Sequence, residues 1–247
     1  MRAYLLALSF LTGLPIKVKE ASAGEMEQSL AAYPLVGLTL GVIAAAVAWL
    51  AHWFNLSLAG DTLVIVTLLF LTRGLHLDGV MDTADGLFCQ KDQQGKLEVM
   101  KDSRVGAMGV SAALVVILLK ITLLFELNYP AKLSWLLLMP AAGRWLMVYG
   151  VSFFPYARAS GLGGAFSRQS KIPFLLATVL LGLFTLLAGG WPGIIAAAAS
   201  FAMAAVVAKS IASALGGLTG DVYGALGEIA ETGFLLAAVI LQAGGAA

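Results

Sequence analysis

Three aspartates, Asp78, Asp82 and Asp85, recur at positions i, i+4 and i+7 of Arg73-Gly-Leu-His-Leu-Asp-Gly-Val-Met-Asp-Thr-Ala-Asp-Gly86, directly after an apolar run. On a helix turning about 100° per residue they share a sector of roughly 60° and extend over about 10 Å. Like charges this close repel unless a cation lies between them. A hard, oxygen-seeking metal meets that need, and Mg²⁺ held by a few carboxylates commonly grips a substrate's phosphates. Mg²⁺ is therefore the expected cofactor and Asp78, Asp82 and Asp85 its expected ligands. Asp82 and Asp85 are close enough in sequence to share one ion, whereas Asp78 needs a second ion or a hydrogen-bonding role. An ordinary solvated helix end is the competing reading, but such an end mixes signs and this face does not.

Further charges gather in glycine-rich surroundings. Lys101-Asp-Ser-Arg-Val-Gly-Ala-Met-Gly109 opens the next apolar run, where backbone N–H groups around Gly106 can hold phosphate oxygens and Arg104 can add a bidentate grip. The same segment also reads as a capped basic loop, with Asp102 as N-cap or ion-pair partner. Arg144 lies inside the apolar run 133–154, so it must face a buried acid or contact a phosphate directly. Lys120 and Lys209 can snorkel toward an interface and are left outside the site. Phe154-Pro-Tyr-Ala-Arg158 and the glycines up to Gly164 suit either a lid over a bulky anion or a turn between spans. Gly216, Gly220 and Gly224 form a small-residue ladder that would pack helices closely. Packing does not call for the charge of Asp221, so Asp221 and the neighbouring Thr219 join the candidate site.

The elements that must position these residues are membrane helices. Of 247 residues, 60% are hydrophobic and 12% charged, against about 25% charged in soluble domains. Apolar runs at 34–51, 62–72, 108–125, 133–154, 174–190, 193–208 and 229–242 predict an all-α, polytopic integral membrane bundle of about seven transmembrane helices in a single domain, 1–247. Residues 1–14 are expected to form an interfacial or re-entrant helix, because Leu14-Pro-Ile-Lys17 is a poor signal-peptide cleavage site. Lys17 and Lys19, then Lys91, Lys96, Lys101 and Arg104, then Arg158, Arg168 and Lys171 fall in alternate connections, which places those connections and the acidic motif on the cytoplasmic side of the inner membrane. Lys132 is the exception in a short connection. Three carboxylates at mid-bilayer would cost about 8–10 kcal/mol, while the eight strongly apolar residues of 62–72 return only about 4. The aspartates are thus expected to line a cytoplasm-facing cavity at the end of that helix.

Some classes fall away. Cys89 is the single cysteine, so no internal disulfide forms, and His52 and His76 lack the partners of a zinc site. A net charge of +1 gives no nucleic-acid footprint. Membrane lipid is an expected partner, and a homo-oligomer is compatible with the sequence without being demanded by it.

His76-Leu-Asp-Gly-x-x-Asp-Thr-Ala-Asp-Gly-Leu87, Lys101-Asp-Ser-Arg-x-Gly106, Pro155-Tyr-Ala-Arg-x-x-Gly-Leu-Gly163, Gly216-Gly-x-Thr-Gly-Asp-x-x-Gly-Ala225 and Tyr33-Pro-Leu-Val-Gly37 together resemble the cobalamin synthase, or adenosylcobinamide-GDP ribazoletransferase, family over nearly the whole chain. The resemblance implies a Mg²⁺-dependent membrane transferase of cobalamin biosynthesis. It would join the adenosylcobinamide phosphate of adenosylcobinamide-GDP to α-ribazole or α-ribazole 5′-phosphate, release GMP, and form adenosylcobalamin or its 5′-phosphate. On that footing Asp82 and Asp85, with Asp78, hold the metal against the diphosphate. Arg104, Arg158, Arg144, Gly106 and Thr219 contact substrate, and Asp102 or Asp221 accepts the hydroxyl proton.

Two rivals remain at this level. Asp82-Thr-Ala-Asp85-Gly86 matches the opening of the CDP-alcohol phosphotransferase motif, but Leu87-Phe-Cys-Gln90 lacks the Ala-Arg that should follow. A cation-coupled transporter also places acids beside broken, glycine-rich helices. It would give no reason for the arginine and glycine loops beside them.

Overall fold

A computed structural model of the chain describes residues 1–16, 18, 21–158 and 171–245. Lys17, Lys19 and Arg168, used above for orientation, and residues 159–164 of the expected lid lie outside the described residues. Among the described residues the elements are helices joined by short connections, in line with the expected all-α bundle. In chain order the helices are α1 (Arg2–Leu11), α2 (Ala23–Ser29), α3 (Tyr33–Trp53), α4 (Leu58–Leu71), α5 (Leu75–Phe88), α6 (Gln93–Val99), α7 (Ala107–Glu126), α8 (Ala131–Phe153), α9 (Ile172–Leu215) and α10 (Gly220–Ala243).

Five of these are individually long and apolar enough to cross a membrane, and the pair α4–α5, bent by 87°, counts as a sixth when it is taken as one span. The 44 residues of α9 would suffice for two crossings. A straight 44-residue helix would be about 66 Å long, roughly twice the hydrocarbon thickness of about 30 Å. Instead α9 folds back on itself at Gly190, whose φ of 58° and ψ of −151° are non-helical, just before Pro192. A Cβ on Gly193 would lie 2.9 Å from the Thr185 carbonyl oxygen, a contact that a straight helix would stretch to about 12 Å. Phe174 and Phe201, one on each limb, both pack on Trp145 and Tyr149. The expected runs 174–190 and 193–208 are therefore the two arms of a helical hairpin.

The centre of the bundle is α8, flanked by α3, α9 and α10. Gly41 on α3 sits against the backbone of Leu137 on α8, leaving no room for a side chain. Val36 and Leu40 of α3, Leu138 and Met139 of α8 and Leu226 and Phe234 of α10 belong to one buried apolar cluster. The outward faces of α7 and α9 carry exposed Leu118, Leu119, Leu183, Leu187 and Val206, as lipid-facing surfaces do. The N-terminal α1 is short; Leu6, Ala7, Leu8 and Leu11 are buried, and the Gly13 N–H after it donates to the Leu71 carbonyl at 2.6 Å.

One expectation is corrected. The aspartates do not continue the helix of the run 62–72. Arg73 (φ 53°) and Gly74 (φ 67°) adopt left-handed backbone, which ends α4 and turns α5 by 87°. Gly74 takes this conformation without penalty, while Arg73 is held by its Nη2 donating to the Gly13 carbonyl at 3.0 Å. The acidic helix thus crosses the bundle end instead of following the span.

Candidate active site

Two tertiary contacts assemble the site. At the first, α5 crosses the start of α10 so closely that a Cβ on Gly79 would come within 2.3 Å of the Asp221 carbonyl oxygen, and one on Gly224 within 3.1 Å of the His76 Cα. At the second, the connections after α8 and after α9 pair like a fragment of parallel sheet. The Ala157 N–H donates to the Leu218 carbonyl and the Leu218 N–H to the Pro155 carbonyl, both at 2.8 Å. This pairing needs the left-handed Gly216 and Gly217 (φ 73° and 153°). It fixes Tyr156 and Arg158 beside the α10 N-terminus, where Arg158 Nη2 donates to Asp221 Oδ2 at 2.7 Å.

Asp82 is half-buried at this crossing and feels the negative charges of Asp78, Asp221 and Asp85 and, among the described residues, the positive charge of Arg158. Arg158 is bonded to Asp221, Asp221 and Asp78 border one cavity, and Asp82 lies one helical turn from Asp78. Among the described residues no group of three or more His, Cys, Asp or Glu side chains is close enough to enclose a metal. Mg²⁺ in phosphate-handling sites usually takes only one or two carboxylates, the rest being water and substrate oxygens. Asp78 and Asp82, one turn apart and short of positive charge, fit that smaller requirement.

Asp85 departs from its expected role. Its Oδ2 accepts from the Gly106 N–H at 2.7 Å and its Oδ1 from the Gly109 N–H at 2.8 Å, so it caps the N-terminus of α7 from a different helix. The backbone donors expected at Gly106 to cradle phosphate are thereby taken by a protein carboxylate. A Cβ on either glycine would strike Asp85, which explains why small residues open α7.

The other candidates also find protein partners. Arg104 and Asp102 pair with each other at 2.6 Å at the surface, and the hydrogen bonds from Arg104 hold the Asp102 carboxyl down to about 2. That makes Asp102 a poor proton acceptor. Thr219 is fully buried as the N-cap of α10, its Oγ1 accepting from the Val222 N–H at 3.3 Å. Arg144 is buried, ion-paired with Glu231 and hydrogen-bonded through Nη2 to His76 Nδ1 at 3.1 Å. Of the two readings open for it, the structure gives the buried acid, and the acid is Glu231.

Lys120 is a further correction. It does not snorkel but is buried between Glu228 and Glu231. With Arg144 it forms a charge-balanced set of two cations and two anions drawn from α7, α8 and α10, which is how charge persists inside a bundle. A space of about 20 Å³, enough for one water, adjoins these four side chains. The sequence signal was available: Glu228 and Glu231 are one turn apart in an apolar span, as many charges as Lys120 and Arg144 supply.

Above this set opens a cavity of about 500 Å³, bordered by Asp78, Asp221 and His76 and walled by Phe10, Tyr33, Met147, Val151, Tyr156 and Tyr223. Asp78 also borders a second cavity of about 620 Å³, toward Arg73, Thr72 and Met81. Phe10, Tyr33 and Tyr223 were not read as site residues, because they come from three different helices and carry no spacing signal.

Comparison with known proteins agrees with this picture. The model of the family described as cobalamin-5-phosphate synthase matches residues 3–239. A relative from Desulforamulus reducens, named adenosylcobinamide-GDP ribazoletransferase, is 49% identical over 228 residues, 92% of each chain. Relatives of the same name are 41% identical in Desulfitobacterium hafniense, over 96% of each chain, and 36% identical in Klebsiella pneumoniae, over 96% of this chain and 99% of that one. No solved structure matches the chain. A whole-length match of this kind, on a helical bundle that crosses the membrane several times, makes the chain a member of the cobalamin-5-phosphate synthase family of membrane transferases.

Proposed function

We propose that the chain transfers the adenosylcobinamide phosphate group from adenosylcobinamide-GDP to α-ribazole or α-ribazole 5′-phosphate at the α5–α10 crossing, on the cytoplasmic side of the inner membrane. The observation that carries the proposal is the placement of Asp78 and Asp221 on one cavity, with Asp82 one helical turn from Asp78 and Arg158 bonded to Asp221, in a chain whose relatives bear the transferase's name over more than nine-tenths of its length. Such an excess of negative charge is costly alone. It becomes favourable when a diphosphate and its counter-ion arrive.

Asp78 and Asp82 would hold Mg²⁺, which when bound supplies charge neutralisation to a diphosphate. Arg158 turns from Asp221 to a phosphate oxygen as substrate enters, and this leaves Asp221 free to accept a proton. A ribose hydroxyl of the acceptor then forms the new oxygen–phosphorus bond, its proton passes to Asp221, and the bond to GMP breaks with the electron pair leaving on GMP. The aromatic and apolar walls exclude water, which would otherwise compete as nucleophile. Asp85 holds α7 against α5 and so keeps the acidic face in place.

Membranes enriched in the protein, supplied with adenosylcobinamide-GDP, α-ribazole 5′-phosphate and Mg²⁺, should release GMP in step with a joined corrinoid. Omission of the metal should stop both. Uptake of substrate into sealed vesicles without nucleotide release would instead support a transporter.

A further inference from the structure

The cavity of about 500 Å³ is too small for a corrinoid bearing guanosine diphosphate, yet it lies in the range of pockets that enclose one small organic ligand. Its walls carry four aromatic rings, Phe10, Tyr33, Tyr156 and Tyr223, with polar groups confined to a few positions. Flat aromatic ligands suit such walls. Asp78 borders this cavity and the 620 Å³ one, so ligands in the two would meet at the acidic face.

His76 adds a polar contact that the protein itself does not use. It is 2% exposed and borders the cavity. Its Nδ1 faces Arg144 Nη2 at 3.1 Å. A guanidinium can only donate, so Nδ1 accepts and the neutral ring carries its proton on Nε2. That Nε2 is buried without a partner, and a buried donor left unpaired is destabilising until a ligand satisfies it. Arg144 behind it is ion-paired with Glu231 and holds the ring through Nδ1, which leaves Nε2–H without a partner among the described residues.

We infer that this cavity seats the aromatic base of the acceptor nucleoside and that His76 Nε2–H donates to an in-plane acceptor nitrogen of that base. The ribose then points toward Asp78 and Asp221, where its hydroxyl is needed. The inference rests on the function proposed above and adds to it which substrate occupies which cavity and which side chain reads it.

The test compares α-ribazole with the analogue in which the base's acceptor ring nitrogen is replaced by CH, using the full-length enzyme in membranes. Wild type should favour α-ribazole about tenfold in kcat/KM, the ordinary value of one hydrogen bond. His76→Phe should remove that preference, and His76→Gln, which keeps a donor, should restore part of it, while KM for adenosylcobinamide-GDP stays within about twofold. Val151→Phe, which fills the cavity from α8 and replaces none of the charged side chains, should raise KM for the acceptor at least fivefold. A wild-type preference that persists in His76→Phe, or a rise in KM for the corrinoid instead of the nucleoside in Val151→Phe, would overturn the inference and leave the proposed transfer standing. Absence of GMP release from wild type would take down both.

Discussion

Gly79 of α5 touches the backbone of Asp221 at the start of α10, and a Cβ at that point would lie 2.3 Å from the Asp221 carbonyl oxygen. Backbone cannot yield there as a flexible side chain could. Gly79→Ala should therefore push the two helices apart and separate Asp78 and Asp82 from Asp221. We expect kcat to fall more than tenfold, a size consistent with misplacement of about 1 Å. Turnover measured at matched protein levels checks it.

Asp82 and Asp85 share a helix face but should fail differently. Asp85→Ala removes both acceptors at the α7 N-terminus and should cost about 2 kcal/mol of stability. Asp82→Asn relieves repulsion from Asp78 and Asp221, so its melting temperature in detergent should equal or exceed that of wild type. Thermal unfolding of the two variants separates cap from site.

Asp102 should be dispensable. Its ion pair with Arg104 is exposed, and Asp102→Asn is expected to change turnover less than twofold. Arg104 draws the carboxyl down to about 2, below the ordinary carboxylate value of about 3.9. A lowered value contributes stability above the ordinary range and loses it only as pH falls toward 2. The pH–rate profile between 5 and 9 should accordingly be the same in wild type and Asp102→Asn.

Removing one member of the buried set leaves its charge unbalanced. Arg144→Met leaves Lys120 alone to balance Glu228 and Glu231 and should destabilise the protein by about 3–5 kcal/mol, whereas the double change Arg144→Met with Glu231→Gln, which keeps one cation with one anion, should recover part of the loss. The fraction of monodisperse protein after detergent extraction measures this.

Why some of this was legible in the sequence and some was not follows from the range of each interaction. Spans such as α7 and α8 are written as unbroken apolar runs, and the α9 hairpin as Gly190 and Pro192 between two of them. The acidic helix face was legible because i, i+4 spacing is local. The turn at Arg73 was not, since a non-glycine residue there depends on the Gly13 carbonyl sixty positions earlier. The split between Asp82 and Asp85 depends on Gly106 and Gly109, on another helix. Likewise Arg144 was visible as a buried cation and Lys120 was not, since a lysine can reach an interface from within a span; their partners Glu231 and Glu228 are fixed by how α7, α8 and α10 pack.

GMP release by Asp82→Asn, in membranes where the variant inserts and melts as wild type does, tests the central claim most directly. With adenosylcobinamide-GDP, α-ribazole 5′-phosphate and Mg²⁺ supplied, the expected rate is below about 1% of wild type, a loss of roughly 3 kcal/mol in transition-state stabilisation. Turnover close to the wild-type rate would contradict the assignment of the α5 acids to diphosphate chemistry.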